Sequence, residues 1–326
     1  MKKIPNNNFS EEFIINKYLK RLSFKKKGTF EFENDGAYFS IKKNKKIAVT
    51  TDSISEDVDF FKNDSPRSIA NKIITINLSD LSAMGVKPFA YVLNLFIPKY
   101  INQNWLKVFS NEILTLQKLH NFYLLGGDLS NSKKLSLTST FFGYSESNKI
   151  IPQNKFNLNS DIWVTGNIGD SYIGLNIIKG KFFIKDTKIK NYFLKKYYFP
   201  KPNLIGPKIS NYVTSMKDIS DGLMGDLQKM LNNKYGAEIN LSKIPQSINL
   251  KKLINNDSIN HNQVLNSGDD YELILISEKK FRNQIINFSK KNNVKISRIG
   301  KITKNLKIRD DSNNLLNIHR DYDHFR

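Results

Sequence analysis

NLSDLSAMGVKP, residues 77–88, decides the reading of the chain because it sets a carboxylate inside an apolar helix. Just upstream, Asp64-Ser65-Pro66 forms a helix start with Pro at the first helical position. Ile69, Ile73, Ile76, Asp80 and Met84 then recur at spacings of three and four, which is a buried stripe interrupted by one acid. Downstream, residues 89–97 read as a strand, and Leu106, Phe109, Ile113 and Leu116 mark a second amphipathic helix. Residues 46–51, 122–125 and 135–144 read as further strands.

The second half continues the mixture. Residues 161–165 form a strand running into the Gly-rich TGNIGDSYIGL, a tight turn that opens a helix. Short strands are expected at 215–219, 271–277 and 294–302, and helices at 222–232 and 278–292. Strands and helices alternate throughout, so the fold class is α/β (α+β). At 326 residues the chain is long enough for two domains. The polar stretch 147–160 divides them, giving an N-terminal domain over 1–150 and a C-terminal α/β domain over 151–326.

Composition excludes several chemistries. The absence of Cys removes disulfides, thiolate metal sites and a Cys nucleophile, and four His leave little for a zinc site. A metal site would be built from oxygen, which selects Mg²⁺ or a relative. The net charge of +21 comes from lysines scattered over loops and helix faces, which reads as solvated surface rather than a nucleic-acid interface. The opening MKKIPNNNFSEEF has no apolar run, and no stretch approaches the length of a membrane helix. The expectation is a cytoplasmic protein with neither a nucleic-acid nor a membrane partner.

Against that basic background several acids end or interrupt apolar runs. Asp52 ends IAVTTD, Asp80 lies in the helix stripe and Asp128 ends FYLLGGD. Asp218 and Asp221 occupy MKDISDGL, Asp269 and Asp270 open GDDYELILI, and Asp35 lies in ENDGAYF. A carboxylate at the end of a buried strand points into the crevice where α/β proteins bind ligands. Several together repel one another, and Mg²⁺ with phosphate oxygens would neutralise and bridge them. Each also has a structural reading. Thr50-Thr51-Asp52 could cap the next segment, Asp80 could pair with a buried base, and Gly126-Gly127-Asp128 could end a strand. Asp218 and Asp221 could cap the following helix, and Asp269-Asp270 could form a hairpin turn. TGNIGDSYIGL could cradle phosphate at its helix start, but it lacks GK[ST] and is no P-loop.

In order along the chain, TTDS (50–53), NLSDLSAMGVKP (77–88), GGD (126–128), VTGNIGDSYIGL (164–175), DISDGL (218–223), GDDYEL (268–273) and DYDHF (321–325) resemble the thiamine-monophosphate kinase family. NLSDLSAMG and DISDGL are the most specific. The family shares a fold superfamily with aminoimidazole ribonucleotide synthetase and selenophosphate synthetase. The resemblance implies a two-domain fold whose N-terminal sheet forms a barrel across a homodimer interface. It implies ATP-dependent phosphorylation of thiamine phosphate by direct in-line transfer of the γ-phosphate. The acceptor phosphate is already deprotonated near neutral pH, so no general base is assigned and the work falls on several Mg²⁺ ions. Carried over by motif, Asp35, Thr50, Thr51, Asp52, Asp80, Asp128, Asp218 and Asp221 are the Mg²⁺ set. Gly127, Asp128, Asn154 and Ser220 meet ATP, and Asp59, Asp269 and Tyr322 meet thiamine phosphate, with Tyr322 stacking on its rings.

The chain departs from the family pattern in four places. Glu33-Asn34-Asp35 replaces GDD, Asp59 replaces a His, Asn154 beside Lys155 replaces an Arg, and Asp269 replaces a Glu. Two alternatives stand beside this reading. One is another ATP-dependent enzyme of the superfamily, although the missing Cys disfavours selenophosphate synthetase. The other is a basic nucleic-acid-binding protein on an inactive scaffold, which would gain nothing from buried acids.

Overall fold

A computed structural model describes residues 10–41, 45–254, 259, 261–316 and 318. The chain divides into two compact units, Met1–Leu81 with Val86–Asn148, and Ser82–Gly85 with Lys149–Arg326.

The first unit is built on a four-stranded sheet of β1 (Ile47–Ser55), β2 (Lys87–Pro98), β3 (Tyr123–Ser132) and β4 (Ser136–Tyr144), in the order β1-β4-β2-β3. β4 runs antiparallel to both neighbours, and β2 and β3 are parallel. A parallel pair needs a crossover, supplied here by helix α2 (Gln103–His120). Asn102 accepts from the Trp105 N–H to start α2, and Asn121 ends it in the left-handed conformation.

Helix α1 (Pro66–Ala83) connects β1 to β2. Ser65 caps it by accepting from the Ser68 N–H, and Pro66 occupies the first position, where no N–H is needed. Ile69, Ile73, Ile74, Leu78 and Leu81 are all buried, whereas Ile76, Asp80 and Met84 are half-buried, so the buried face keeps Ile69 and Ile73 of the expected stripe but is turned away from the rest of it. Beneath lies an aromatic core in which Tyr91 stacks on Phe141 at 4.8 Å and meets Phe122 edge-on at 5.4 Å.

Two strand ends differ from expectation. β1 continues to Ser55, so Asp52 stands within the strand, and β3 continues to Ser132, so Gly126-Gly127-Asp128 is mid-strand rather than a closing turn. Hydroxyls pairing across the sheet hold the β1 extension, Thr51 with Thr140 at 2.9 Å, Ser53 with Thr138 at 2.7 Å, and Ser55 with Ser136 at 3.1 Å, and backbone pairing with β2 carries β3 to Ser132. Gly127 permits the close approach of β3 to β2, since a Cβ there would stand 1.9 Å from the Leu93 carbonyl oxygen.

The second unit holds a six-stranded sheet of β5 (Asp161–Thr165), β6 (Ser215–Asp218), β7 (Gly236–Ile239), β8 (Leu273–Ser277), β9 (Ile296–Thr303) and β10 (Ile308–Asp310), ordered β10-β7-β9-β5-β8-β6. Only β10 and β7 run parallel among these pairs. β5 and β8 are buried along their whole length and serve a core on each face. Ile162, Val164, Ile274 and Ile276 pack with Leu223, Leu227 and Met230 of helix α5 (Leu223–Leu231). Trp163, Leu273 and Leu275 turn the other way, with Ile285 of helix α7 (Arg282–Asn292). A third cluster joins helices α3 (Asp170–Ile178), α4 (Thr187–Tyr198) and α6 (Ile248–Ile254) through Ile173, Phe193 and Leu250.

At the start of β5, buried Asp161 accepts from Arg282 Nε at 2.6 Å and Nη2 at 2.7 Å, and from Arg298 Nη1 at 3.3 Å. The bidentate pair ties α7 and β9 to the central strand. Asp161→Ala is expected to destabilise this unit by about 2–3 kcal/mol, the scale of hydrogen bonds to charged groups lost at a buried acceptor. Denaturant unfolding followed by Trp163 fluorescence, in a Trp105→Phe background, measures it. An unchanged midpoint would contradict the assigned role.

Candidate functional site

In the first unit Thr50 and Asp52 lie on one face of β1, the face that meets α1. Thr50 Oγ1 donates to Asp80 Oδ2 at 2.5 Å, which joins the strand to the acid of the helix stripe. Next to them, Asn77 Nδ2 donates to Ser139 Oγ at 2.9 Å, and Ser139 is the register partner of Asp52. Thr50, Asp52 and Asp80 are all half-buried. The structure therefore gathers a hydroxyl and a carboxylate from the TTD and NLSD motifs.

The remaining first-unit candidates sit apart. Thr51 points to the opposite face and is engaged with Thr140. Asp52, Ser139, Leu93 and Gly127 form one rank across the sheet, whereas Asp128 pairs with Asn94 in the next rank. By strand alternation Asp128 faces away from Asp52, exposed, and accepts from Ser130 Oγ at 3.1 Å. Asp35 lies exposed in the coil before β1. Asp59, which stands where the family has His, accepts from the Ser55 N–H at 2.8 Å and so holds the turn after β1.

In the second unit three motifs distant in sequence converge. The Tyr271 N–H donates to Ile219 O at 2.9 Å, the Asp269 N–H to Ser220 O at 2.9 Å, and the Ile219 N–H to Glu272 O at 2.8 Å. These bonds extend the β6–β8 ladder past its last paired residues, so DISDG lies against GDDYE. The Gly-rich segment joins them, with the Gly169 N–H donating to Asp270 Oδ2 at 2.8 Å and Ser171 Oγ to Asp269 O at 2.7 Å. It is the strand-to-helix turn that the sequence suggests. Asp269 takes a positive φ of 65°, and its carboxylate accepts from the Tyr271 hydroxyl at 2.7 Å. This is a packed coil, not a hairpin turn.

Asp218 ends β6, and Ser220, Asp221 and Gly222 carry the chain into α5. Gly222 has φ 114°, and a Cβ there would stand 2.5 Å from the Asn266 backbone. α5 begins with no side-chain cap, so neither Asp218 nor Asp221 is used in capping it. Their charges are answered by lysines: Lys217 Nζ lies 3.7 Å from Asp218 Oδ1, and Lys229 pairs with Asp221 Oδ2. Burial lowers the Lys229 pKa, but the hydrogen bond to Asp221 and the charges of Asp226 and Asp221 outweigh it and raise the value overall. Asn154 is exposed in the coil pinned next to it, where Ser215 Oγ accepts from the Lys155 N–H at 2.8 Å. Tyr322 lies outside the described residues.

Motif reading gave no role to Asp170, Asp226, Asp270 or Glu272 of this unit. Asp170 accepts from the Tyr192 hydroxyl and Ser247 Oγ, each at 2.6 Å, and Glu272 from Thr165 Oγ1 at 2.5 Å and Asn203 Nδ2 at 2.9 Å. Asp270 anchors the Gly169 turn. Asp226 is fully buried on α5, where Leu223, Leu227 and Met230 form the apolar stripe. That is the same signature that marks Asp80, an acid at helical spacing among apolar residues, and it could have been read from the sequence. Among the described residues no group of three or more Asp, Glu, His or Cys side chains stands close enough to hold a metal ion.

Burial pushes the Asp270 carboxyl well above the usual carboxylate range, with the Gly169 N–H opposing and Asp170 and Glu272 adding to the rise. Burial likewise raises Glu272, against its bonds from Thr165 and Asn203. The sign follows from proton linkage. Above the unfolded Asp value of about 3.9 and up to the folded value, the folded state keeps a proton that the unfolded state has lost, so stability falls as pH rises through that window. Asp270→Asn keeps an acceptor for Gly169 and cannot ionise. Its unfolding midpoint, compared with the parent's, is expected to gain steadily as pH rises above about 4. A difference independent of pH would contradict the assignment.

The description AIR synthase related protein, N-terminal domain, matches residues 33–145, and that of the C-terminal domain matches residues 160–311. The thiamine-monophosphate kinase of Buchnera aphidicola subsp. Schizaphis graminum is 38% identical over 300 residues, covering 90% of this chain and 91% of that protein. The crystal structure of thiamine-monophosphate kinase from Stenotrophomonas maltophilia K279a superposes with a TM-score of 0.83 at 24% identity, covering 94% of this chain and 98% of that one. AaThiL complexed with AMPPCP and TMP superposes with a TM-score of 0.75 at 22% identity, covering 95% and 96%. These structures share the mixed α/β two-domain fold, and the nearly full-length identity carries the assignment further: the chain belongs to the thiamine-monophosphate kinase family.

Proposed function

We propose that the chain transfers the γ-phosphate of ATP to thiamine monophosphate, giving thiamine diphosphate and ADP. The observation that carries this reading is its 38% identity to a thiamine-monophosphate kinase across nine-tenths of both chains. The bound AMPPCP and TMP of AaThiL support it. An oxygen of the acceptor phosphate forms the new bond to the γ-phosphorus while the bond to the ADP oxygen breaks, and the released charge stays on ADP. The acceptor oxygen is already deprotonated near neutral pH, so the chain need supply no general base.

Mg²⁺ fits the oxygen donors present. It binds through one or two carboxylates and completes its shell with water and substrate phosphates, so it does not need an all-protein cage. Bound there, it would neutralise the phosphates that must approach one another. Asp52, Asp80 and Thr50 are the first-unit donors in this reading, and Asp218 and Asp221 the second-unit donors. Asp35, Thr51 and Asp128 are assigned to the same role by motif. Thr50 holds Asp80 through its hydroxyl and so fixes the carboxylate rotamer. Gly127, Asn154 and Ser220 are assigned to the nucleotide, and Asp59, Asp269 and Tyr322 to the acceptor. Asp269 is oriented for this by its bonds to Ser220 and Tyr271.

The reading places the enzyme in the cytoplasm as a homodimer. Among the described residues no helix is long and apolar enough to cross a membrane. The face of the first sheet opposite α1 exposes Val49, Thr51 and Ser53, with Phe96 also exposed, which is surface available to a second copy. Sedimentation under active conditions is expected to give twice the chain mass of 37.7 kDa, and a single-chain mass would reject the dimer. Asp52→Ala and Asp80→Ala are each expected to reduce ADP release with thiamine monophosphate by about a hundredfold or more, the upper range for lost metal-site interactions, with circular dichroism unchanged. A folded variant with the parent rate at saturating Mg²⁺ would remove that residue from the metal set.

A further inference from the structure

The loop carrying Asp218 and Asp221 is held by a third acid. Asp226 is fully buried one turn into α5, and its Oδ2 accepts from the Ser220 N–H at 3.0 Å and the Asp221 N–H at 2.9 Å. Its Oδ1 faces the two lysines that answer the loop's own acids, with Lys217 Nζ at 3.5 Å and Lys229 Nζ at 3.4 Å. Each lysine thus lies between a loop carboxylate and the shared Asp226 carboxylate: Lys217 between Asp218 and Asp226, and Lys229 between Asp221 and Asp226.

We propose that Asp226 is a positioning residue that fixes the Asp218–Asp221 loop and takes over Lys217 and Lys229 when a divalent cation binds the loop's carboxylates. The inference rests on the assignment of Asp218 and Asp221 as metal ligands. Without a cation the two ammonium groups neutralise those carboxylates, and Lys229 occupies the oxygen that a metal would need. A divalent ion beside two lysines would be repelled unless their charge had another partner. Asp226 provides that partner without moving, since both of its oxygens are already aligned and its buried position locks the rotamer. Only the lysine side chains shift, and the backbone bonds that shape the loop persist. Lys229 is the competitor in this arrangement and Asp226 the residue that lets it be displaced.

Removing only the charge tests this. In Asp226→Asn the amide oxygen can still accept from Ser220 and Asp221, while the amide NH₂ and both lysines leave the loop one negative charge short. Mn²⁺ alone, titrated against the full chain and followed by the electron paramagnetic resonance of the free ion, reads binding without turnover. Asp226→Asn is expected to weaken Mn²⁺ about tenfold, as loss of an outer-shell partner does. Lys229→Met should tighten it, and the double variant should recover part of the loss. Mn²⁺ binding by Asp226→Asn equal to the parent's, or a double variant no better than Asp226→Asn, would overturn the proposal. If Asp226→Asn fails to fold, Lys229→Met decides alone, because unchanged or weaker binding contradicts the exchange. Asp218→Asn and Asp221→Asn separate the two layers. If neither weakens Mn²⁺, the metal assignment itself fails and this inference falls with it. If both do and Asp226→Asn does not, only the inference fails.

Discussion

An acid held in a protein interior must have its charge answered by donors, by a cation or by a proton, and that constraint organises the second unit. Asp161 is answered by two guanidinium groups, Asp170 by two hydroxyls, Glu272 by a hydroxyl and an amide, and Asp226 by two backbone N–H groups and two lysines. For Asp270 burial, with Asp170 and Glu272 adding to it, outweighs the Gly169 and Ser171 N–H groups and its pKa rises, as burial also raises Glu272. The consequence is structural as well as electrostatic. Each carboxylate that collects donors from another segment ties that segment in place, which is how residues 165–171, 218–222 and 268–272 come to meet beside β6 and β8.

Much of this was legible in the sequence. The apolar spacing and the Ser65-Pro66 start marked helix α1, but of the expected stripe only Ile69 and Ile73 are fully buried, and Ile76, Asp80 and Met84 lie at its half-buried margin. What the sequence obscured was extent. IAVTTD and FYLLGGD look like strands that stop at the acid, because the apolar run stops there. β1 and β3 run on for several residues, β1 held by backbone pairing and hydroxyl pairs with β4 and β3 by backbone pairing with β2, none of which carries a hydrophobic signal. The motif order singled out Asp218, Ser220 and Asp221, but not Asp226, whose carboxylate accepts from the Ser220 and Asp221 N–H groups. Asp226 was hidden because motif reading stops at DISDGL, although its place among Leu223, Leu227 and Met230 marks it by the same rule as Asp80.

Three of the positions at which this chain departs from the family pattern have a local setting in the structure. Asp59 is engaged in the turn after β1, Asn154 is exposed, and Asp269 keeps its backbone bond to Ser220 although its side chain is one methylene shorter.

The chemistry itself is tested most directly by following the phosphate. With ATP labelled in the γ-position and thiamine monophosphate as acceptor, the account predicts that the label appears in thiamine diphosphate, with ADP formed in equal amount. Label recovered only as inorganic phosphate, or AMP as the nucleotide product, would contradict direct transfer of the γ-phosphate.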